Sequence, residues 1–550
     1  MNPATGGPAR PQTRGRTFPT LSDEAVRAVL QVNRPVVLVV RGEEWVPAAE
    51  ALFRSGPGRS GPGRGGPSGT NHAAAFVPAC PLSDLGDASF TADYGLKYPY
   101  LVGSMANGIS SVRMLRASAD AGFLAFFGAG GLTPDAVEQA LDKARDEVGD
   151  RPYGFNLIHS PNEPALEAAV VDLYLRQNIR LVEASAYMDL TLPLVRYRTA
   201  GIFETPDGRI ETPNRIVAKA SRAEVATRFF SPPPERFLQI LRDRGELTET
   251  QVALAGRVPM AWDLTAEADS GGHTDNRPAL ALVPIMTALR DRLAERFKYD
   301  RPLRVGAGGG AASPASAAAL FALGAAYVLT GSINQAAVEA GTSPAVREML
   351  AKTGPADVTM APAADMFELG VKVQVLKWGT MFPMRAARLF DLYTRHDSVD
   401  ALPAAERENL EKNFFRAPLE SIWDRTKAYF EARDRTQVQR AERDPKHRLA
   451  LLFRWYLGQA SSWANRGDPS RRIDYQVFCG PAMGAFNEWV KGSFLEQPEN
   501  RTVAVMGLNI LYGAAVLARA DMLRRQGASL PAEVVSRRPL EPAEIEERLQ

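Results

Sequence analysis

Cysteine and long apolar runs are scarce in this sequence of 550 residues. Its two cysteines, Cys80 and Cys479, cannot form a disulfide framework, and neither belongs to a repeated Cys/His spacing that would bind zinc. No uninterrupted apolar run approaches the roughly 18 to 20 residues that cross a bilayer, and the N-terminus lacks the apolar stretch of a secretory signal. The sequence therefore predicts a cytoplasmic protein with no membrane-spanning segment and no metal site.

An excess of charge of either sign is also absent. The chain has 65 Lys and Arg against 63 Asp and Glu, which gives a net charge of +2. This balance provides no global electrostatic reason to expect a nucleic acid or an anionic membrane as a partner. Its length predicts one large domain or two to three smaller ones.

The first part of the chain is predicted to be only partly folded. Residues 1–21 are interpreted as a disordered tail, and residues 22–54 as a small N-terminal module with one helix and one apolar strand. Residues 55–71 consist almost entirely of Gly, Pro, Ser and Arg, so they cannot bury enough apolar surface to fold. We expect them to form a linker.

The chain next alternates short apolar runs with amphipathic stretches of helical length, which is typical of parallel strands joined by crossover helices. Eight candidate strands are Leu101–Gly103, Phe123–Phe127, Tyr153–Leu157, Arg180–Glu183, Arg215–Lys219, Ala261–Glu267, Arg304–Gly306 and Tyr327–Thr330. Their number and span fit a (β/α)₈ TIM barrel, for which roughly 250 residues are typical. An open Rossmann-type sheet is the alternative, but no G-x-G-x-x-G follows the first strand. We predict an α/β fold with the barrel over residues 72–354 and a helical extension over residues 355–550.

Two glycine-rich segments follow the last two predicted strands. The first contains Gly308, Gly309 and Gly310, and the second contains Gly331 and Ser332. Glycines let backbone N–H groups approach a phosphate closely, and in barrels the loops after strands seven and eight commonly form one phosphate site. The alternative is a flexible turn without a ligand. The placement of both segments favours a phosphate site.

Three other polar residues lie at predicted strand ends. His273 follows a Gly-Gly turn after the sixth strand, where an imidazole can act as an acid, a base or a hydrogen-bond donor, or remain an ordinary loop residue. Lys219 can bind phosphate, stabilise a reduced flavin or form a Schiff base, or it can pair with Glu183. Asn156 ends the third strand. No G-x-S-x-G motif is present, which disfavours an acyltransferase.

Several blocks of sequence together resemble one family. They read S-F-T-A-D-Y-G-L-K-Y-P-Y followed by G-S-M-A-N-G-I-S, P-Y-G-F-N-L-I-H-S, A-D-S-G-G-H-T-D-N-R-P, the triple-glycine loop, K-V-Q-V-L-K-W-G-T-M-F-P and C-G-P-A-M-G-A-F-N-E-W. The blocks extend from Ser89 to Trp489. In them the sequence resembles the trans-acting enoyl reductases of polyketide and polyunsaturated fatty acid synthases. That family is similar to the wider superfamily of nitronate monooxygenases and flavin-dependent enoyl reductases.

The resemblance implies a barrel that binds FMN and assigns roles to particular residues. Gly103, Met105 and Ala106 would lie against the flavin ring, and Asn156 and Lys219 would bond its polar edge or ribityl chain. The phosphate would be held by Gly308, Gly309, Gly310, Gly331 and Ser332. His273 would correspond to the active-site histidine. Asp275 stands where the superfamily often has glycine.

The resemblance also implies an activity and partners. The enzyme would reduce the 2,3 double bond of enoyl thioesters on acyl carrier proteins, with hydride from NAD(P)H passing through FMN. Its partners would be the acyl carrier protein and polyketide or fatty acid synthase modules, and a homodimer is left open. A nitronate monooxygenase-like flavin oxidase and a non-catalytic scaffold subunit are the alternatives.

An acidic carrier protein would require a basic rim at the barrel mouth despite the near-zero net charge. The alternative for each basic residue is simple pairing with a neighbouring carboxylate. The candidates are Arg196, Arg198, Lys372, Lys377, Arg385 and Arg388.

Overall fold

The computed structural model describes residues 18–48, 74–161, 163–536 and 538–549. The predicted tail lies outside the described residues up to residue 17, and the predicted linker, residues 55–71, lies outside them entirely. Thr20–Leu21, which the sequence places in the tail, form a short strand.

The chain divides into two compact units. The first comprises the described residues of 1–81, 515–537 and 546–550, and the second comprises residues 82–514 and 538–545. The first unit is built on a four-stranded sheet of order β1-β3-β2-β4. Its strands are β1 Thr20–Leu21, β2 Val36–Arg41, β3 Glu44–Ala48 and β4 Ala74–Val77, accompanied by the helices Asp23–Leu30 and Ala532–Val535.

A buried arginine near the C-terminus helps to hold this first unit together. The fully buried guanidinium group of Arg519 donates hydrogen bonds to the carbonyl groups of Val32, Arg34 and Pro78, at distances of 2.8 to 3.1 Å. Carbonyl acceptors satisfy this buried charge. The unit therefore extends beyond residues 22–54, because strand β4 and a C-terminal helical segment also belong to it.

The second unit contains a closed barrel of eight parallel strands, which confirms the predicted fold. Its strands are β5 Tyr100–Val102, β6 Leu124–Phe127, β7 Gly154–Ile158, β8 Leu181–Ser185, β11 Arg215–Ala220, β12 Asp263–Glu267, β14 Arg304–Gly308 and β15 Val328–Thr330. Pairing of Leu329 with Leu101 closes the ring between the last and first strands. A hairpin of β9 Phe203–Glu204 and β10 Ile210–Glu211 precedes the fifth barrel strand.

Helices surround the barrel strands. Those that begin with proline in the first turn fit the preference of helix starts for that residue, and Thr133 and Ser313 cap two of them. In chain order they are Ala88–Tyr94, Val112–Asp120, Pro134–Val148, Pro164–Arg176, Leu192–Thr199, Ala223–Phe229, Glu235–Asp243, Glu249–Ala255, Ala279–Phe297, Pro314–Ala322, Ser332–Gln335 and Pro344–Ala351.

The barrel interior is apolar through its middle. Its buried cluster includes Leu101, Phe126, Val217, Tyr327 and Leu329. The ring of Phe90 stacks on that of Tyr327 with centroids 4.3 Å apart and adds to the same cluster. The barrel is therefore a packed core rather than a pore, and a ligand must bind at its carboxyl end.

The region after the barrel is mainly helical, as predicted, but it also contains two strands. β16 Val358–Pro362 and β17 Lys372–Leu376 form a three-stranded antiparallel sheet with β13 Gly272–His273, in the order β13-β17-β16. The helices that follow are Phe382–Arg395, Ala404–Asn409, Leu419–Arg433, Arg435–Arg443, Pro445–Arg466, Ala482–Val490, Val503–Arg525 and Pro542–Leu549.

The helix Val503–Arg525 has the length and composition of a membrane span. However, 72% of its most apolar window is buried inside the protein. It is the one helix of this kind among the described residues, and a mostly buried helix is typical of a protein core and is weak evidence for a membrane.

Candidate active site

A cleft lies at the carboxyl end of the barrel strands. Its volume is about 670 Å³, including the part that is open to solvent. It is lined by Gly103, Ser104, Met105, Lys219, Glu267, Ser270, Gly271, Gly308, Gly309, Gly310, Ala311, Leu329, Thr330, Gly331, Ser332, Ile333, Gln335, Phe478 and Ala482. This is the end of the barrel at which such folds bind their ligands.

The two predicted glycine loops meet in this cleft. Gly310 adopts a φ of +91°, and a Cβ atom added to it would have no protein atom within 4 Å. A Cβ atom on Gly331 would likewise enter open space. At both positions, therefore, no protein atom covers the backbone where a side chain would stand. Ser332 is already engaged, because its hydroxyl accepts a hydrogen bond of 3.0 Å from the N–H of Gly480.

Gly309 has a different role from Gly310 and Gly331. It adopts a φ of +84°, and a Cβ atom there would lie only 2.7 Å from the carbonyl carbon of Ala268. The glycine is therefore needed for close packing of the loop after β14 against the end of β12.

The loop after β5 forms another wall. The buried Ser110 hydroxyl donates to the Gly103 carbonyl at 2.9 Å and accepts from the Met105 N–H at 3.0 Å, which holds the loop in place. Gly103 and Met105 line the cleft, whereas Ala106 is not among the lining residues.

A polar layer lies at this end of the barrel. Lys219 Nζ is 2.9 Å from Glu267 Oε1, and both residues line the cleft. Glu183 is fully buried, and its Oε2 accepts hydrogen bonds from the Ser104 N–H, at 2.9 Å, and from the Ser104 hydroxyl. Its Oε1 is buried without a hydrogen-bond partner among the described residues.

Electrostatics in this layer favour a charged Lys219. Burial acts to lower the pKa of Lys219, but Glu267 and Glu183 outweigh it and raise that pKa above its ordinary value. Burial raises the pKa of Glu183, against the opposing effects of Lys219 and Ser104. Lys219 therefore pairs mainly with Glu267, and Glu183, the partner in one of the alternatives for Lys219, contributes to its pKa from nearby.

Asn156 belongs to the same layer but does not line the cleft. Its amide nitrogen donates to the Glu183 carbonyl and to the Ser185 hydroxyl, each at 3.1 Å. It is nearly buried, at 4% exposure. These contacts join β7 to β8.

His273 lies next to the cleft and is not part of its lining. It pairs with Val373 in the three-stranded sheet, and its Nε2 is 3.3 Å from Asp365 Oδ2. Burial acts to lower the pKa of His273, but Asp365 and Glu267 outweigh it, so the pKa is raised. A raised pKa keeps the imidazole available as a proton donor.

Asp275 anchors the turn that carries His273. Its carboxylate accepts from the Ser221 hydroxyl at 2.6 Å and from Arg222 at 2.8 Å. The hydrogen bond from Arg222 is the main reason that the pKa of Asp275 falls to about 2. The aspartate at this position thus ties the turn to the end of β11.

The region after the barrel completes the cleft. A Cβ atom on Gly271 would lie 2.9 Å from the backbone nitrogen of Cys479, and one on Gly480 would lie 2.8 Å from that of Gly271. Phe478 and Ala482 reach the cleft from the same segment. Burial raises the pKa of Cys479 to about 12, so its thiol is no nucleophile.

Comparison with known proteins decides the family. A family profile described as nitronate monooxygenase matches residues 89–378, more than half of the chain and most of the residues of the cleft. The chain belongs to the nitronate monooxygenase family. In this family member a second profile, described as the inserted helical domain of [acyl-carrier-protein] S-malonyltransferase, matches residues 396–475.

Relatives of this nitronate monooxygenase family member come from synthase systems. It is 47% identical over 458 residues to one of the polyunsaturated fatty acid synthase proteins of Thraustochytrium, covering 82% of this chain and 31% of that protein. It is 44% identical over 439 residues to the polyketide biosynthesis protein PksE of Bacillus subtilis, covering 80% of this chain and 57% of that protein. The chain thus spans only about a third to somewhat over half of these relatives.

A solved structure resembles the family member over most of its length. The enoyl reductase domain of MlnA, from the macrolactin biosynthesis cluster of Bacillus amyloliquefaciens, is 40% identical with a TM-score of 0.76. The match covers 81% of this chain and all of that domain. The two share the fold.

Sequence reasoning missed several residues at or beside the cleft. Ser104 and Glu267 belong to segments that it had singled out, but no role was predicted for them. Phe478, Ala482 and Asp365 come from the region after the barrel, and no local pattern shows that this region returns to the strand ends. Among the described residues no group of three or more His, Cys, Asp or Glu side chains could hold a metal ion.

Most of the proposed basic rim is engaged elsewhere. Arg198 was wrong as a rim residue, because it is fully buried and donates to the carbonyl groups of Pro259 and Asn214. Arg196, Arg385 and Arg388 pair with carboxylates. Lys372 and Lys377 are exposed.

Proposed function

We propose that the protein is a trans-acting enoyl reductase that reduces the 2,3 double bond of enoyl thioesters on acyl carrier proteins, using FMN and NAD(P)H. The observation that carries this proposal is the 40% identity to an enoyl reductase domain, which the chain matches over that domain's full length. The cytoplasm is the proposed compartment, because the chain has only two cysteines.

The residues of the cleft fit FMN. The open backbone at Gly310 and Gly331 forms a cradle that a side chain would fill, as a phosphate site needs. Lys219 supplies a cation beside the ring's expected position, and Gly103 and Met105 supply a close-packed wall. The phosphate would bind to the loops of Gly308 to Gly310 and Gly331 to Ser332.

The chain's own residues would position substrate and proton. FMN, when bound, would supply the hydride transfer from NAD(P)H to the β-carbon of the enoyl thioester. His273 would donate a proton to the α-carbon, where negative charge develops. Lys219, held by Glu267, would favour anionic groups in the cleft.

The carrier-bound substrate is supported by the relatives and by the helical region. The relatives are proteins of polyunsaturated fatty acid and polyketide synthesis. Residues 396–475 match a helical domain of an acyl-carrier-protein transferase, which also supports an acyl carrier protein as the partner. We therefore propose acyl carrier protein and synthase modules as partners.

The family match also favours a second candidate function. In a nitronate monooxygenase, His273 would act as the base towards an alkyl nitronate, and oxygen would be consumed. NAD(P)H-driven reduction of an enoyl thioester and oxygen-driven oxidation of an alkyl nitronate, measured on one preparation, distinguish the two. Enoyl reduction with negligible nitronate oxidation supports the proposal, and the reverse contradicts it.

A scaffold role is the third alternative. It predicts stable binding to synthase modules without flavin and without turnover. The open glycine cradle and the paired Lys219 argue against a site that has lost its ligand.

A further inference from the structure

One contact beside the cleft joins the barrel to the region that follows it. His273 is held in strand β13, and Asp365 lies in the segment between β16 and the short 3₁₀ helix Phe367–Leu369. The distance of 3.3 Å between Nε2 and Oδ2 is an ion-pair distance. Both side chains keep some exposure, 30% and 43%, but His273 Nε2 itself is buried and has no partner with hydrogen-bond geometry among the described residues, so the contact with Asp365 is an ion pair.

Other charged groups face the pair from the elements around it. Glu267 and Lys219 act on His273 from the barrel, with opposite signs. Arg454 acts on Asp365 from the long helix Pro445–Arg466, and it also pairs with Glu368 at 3.3 Å. Burial acts to raise the pKa of Asp365, but His273 outweighs it and lowers that pKa. Asp365 therefore stays ionised against its imidazole partner.

The contact determines which ring nitrogen is left for chemistry. An imidazole whose Nε2 faces a carboxylate keeps a proton on that atom and turns Nδ1 towards its other neighbours. A carboxylate that orients a histidine in this way also stabilises the charged imidazolium, as in other acid–base sites.

We propose that Asp365 is a positioning residue for His273, whose carboxylate holds Nε2 and leaves Nδ1 to protonate the substrate. The inference rests on the proposed function. In the step it serves, hydride from NAD(P)H reaches the β-carbon, and the proton of Nδ1 forms the new C–H bond at the α-carbon. His273 becomes a neutral imidazole and then recovers a proton from water.

The test compares three variants of the full chain. Asp365→Asn retains the size of the side chain and removes its charge. Glu368→Gln is the matched control, because it removes a carboxylate from the neighbouring 3₁₀ helix, where Glu368 pairs with Arg454. His273→Ala identifies the imidazole signal by its loss from the NMR spectrum.

Two readouts separate positioning from structure. We expect Asp365→Asn to lower the pKa of His273 in an NMR titration, to lower kcat about 10- to 100-fold and to move the alkaline limit of the pH profile to lower pH. Glu368→Gln should leave the titration and the profile unchanged. FMN binding and reduction by NAD(P)H should be the same in Asp365→Asn and Glu368→Gln as in the wild type.

Two results would overturn the inference. One is an unchanged His273 titration in Asp365→Asn, and the other is an equal loss of kcat in Asp365→Asn and Glu368→Gln with an unchanged pH profile. Failure of the proposed function has a different signature, because the wild-type chain would then lack enoyl reduction while the titration still reports the contact.

Discussion

Lys219 Nζ lies 2.9 Å from the Glu267 carboxylate on the adjacent barrel strand, and both side chains face the cleft. The pair places a cation at the carboxyl end of the barrel strands, next to the apolar middle of the barrel. Because Glu267 and Glu183 raise the pKa of Lys219, the cation is retained across the physiological pH range.

Lys219→Met is expected to weaken FMN binding and to lower the midpoint potential of the bound flavin. The substitution removes the cation and leaves Glu267 near the cleft without its partner. A lost charge-assisted hydrogen bond of about 1.5 to 3 kcal/mol corresponds to a Kd about 10- to 150-fold higher. Fluorescence titration with FMN measures it. Lys143→Met, on an exposed barrel helix, is the control, and equal FMN affinities in both variants would contradict this role.

Gly331→Asp is expected to abolish FMN binding without unfolding the protein. Gly331 has a φ of −128°, outside the left-handed region that favours glycine, and a Cβ atom there meets no protein atom within 4 Å. The carboxylate would occupy the phosphate cradle and repel the phosphate. Calorimetric melting of the flavin-free protein and an FMN titration check both parts. If Gly331→Asp bound FMN as tightly as the wild type, the assignment of this cradle as the phosphate site would be wrong.

Gly309→Ala should behave in the opposite way, through stability. Its φ of +84° and the 2.7 Å approach to Ala268 make any side chain strained. We expect a loss of stability of about 1 to 3 kcal/mol, measured by denaturant unfolding of the flavin-free protein. A variant as stable as the wild type would show that the loop can relax.

Glu183→Gln tests the pH dependence of stability. Burial raises the pKa of Glu183 in the folded state, so the neutral form contributes stability that is present at low pH and is lost as pH rises above its ordinary value of 4.5. The glutamine stays neutral and can still accept from Ser104. The variant should match the wild type near pH 4 and exceed it in Tm increasingly towards neutral pH. A difference in Tm that is independent of pH would exclude this explanation.

Carrier docking predicts a salt effect. The exposed lysines of the sheet after the barrel, Lys372 and Lys377, are the remaining candidates for the rim. Screening lengths shorten to about 3 Å at 1 M salt, so the apparent KM for a carrier-bound enoyl substrate should rise with salt. The KM for a small thioester mimic should change little. Equal salt dependence for the two substrates would remove the case for charge-steered docking.

The barrel was predictable because its strands are short apolar runs and several of the helices that follow begin with proline in the first turn. The glycine cradle was predictable for the same reason, since Gly310 and Gly331 directly follow two of those strands. The role of Glu183 could not be predicted, because the sequence around a glutamate in an apolar strand does not show which residue will contact it. Its contact with Ser104 depends on barrel closure.

The residues beyond the barrel could not be predicted from local pattern. Asp365 meets His273 only because β17 pairs with β13, and the alternation in Lys372–Leu376 was hidden in a region that otherwise has the composition of helices. The prediction that Arg198 belongs to the basic rim was wrong for a related reason. A basic residue after a strand suggests a rim, but its helix turns that side chain inwards onto two carbonyl groups.

The most direct test of the account is anaerobic reoxidation of the flavin. The purified protein is loaded with FMN, reduced with one equivalent of NADPH and mixed with an enoyl thioester on an acyl carrier protein. The account predicts rapid return of the oxidised flavin spectrum and one equivalent of saturated acyl thioester. A reduced spectrum that persists with the enoyl thioester, in a protein that oxidises an alkyl nitronate in air, would contradict it.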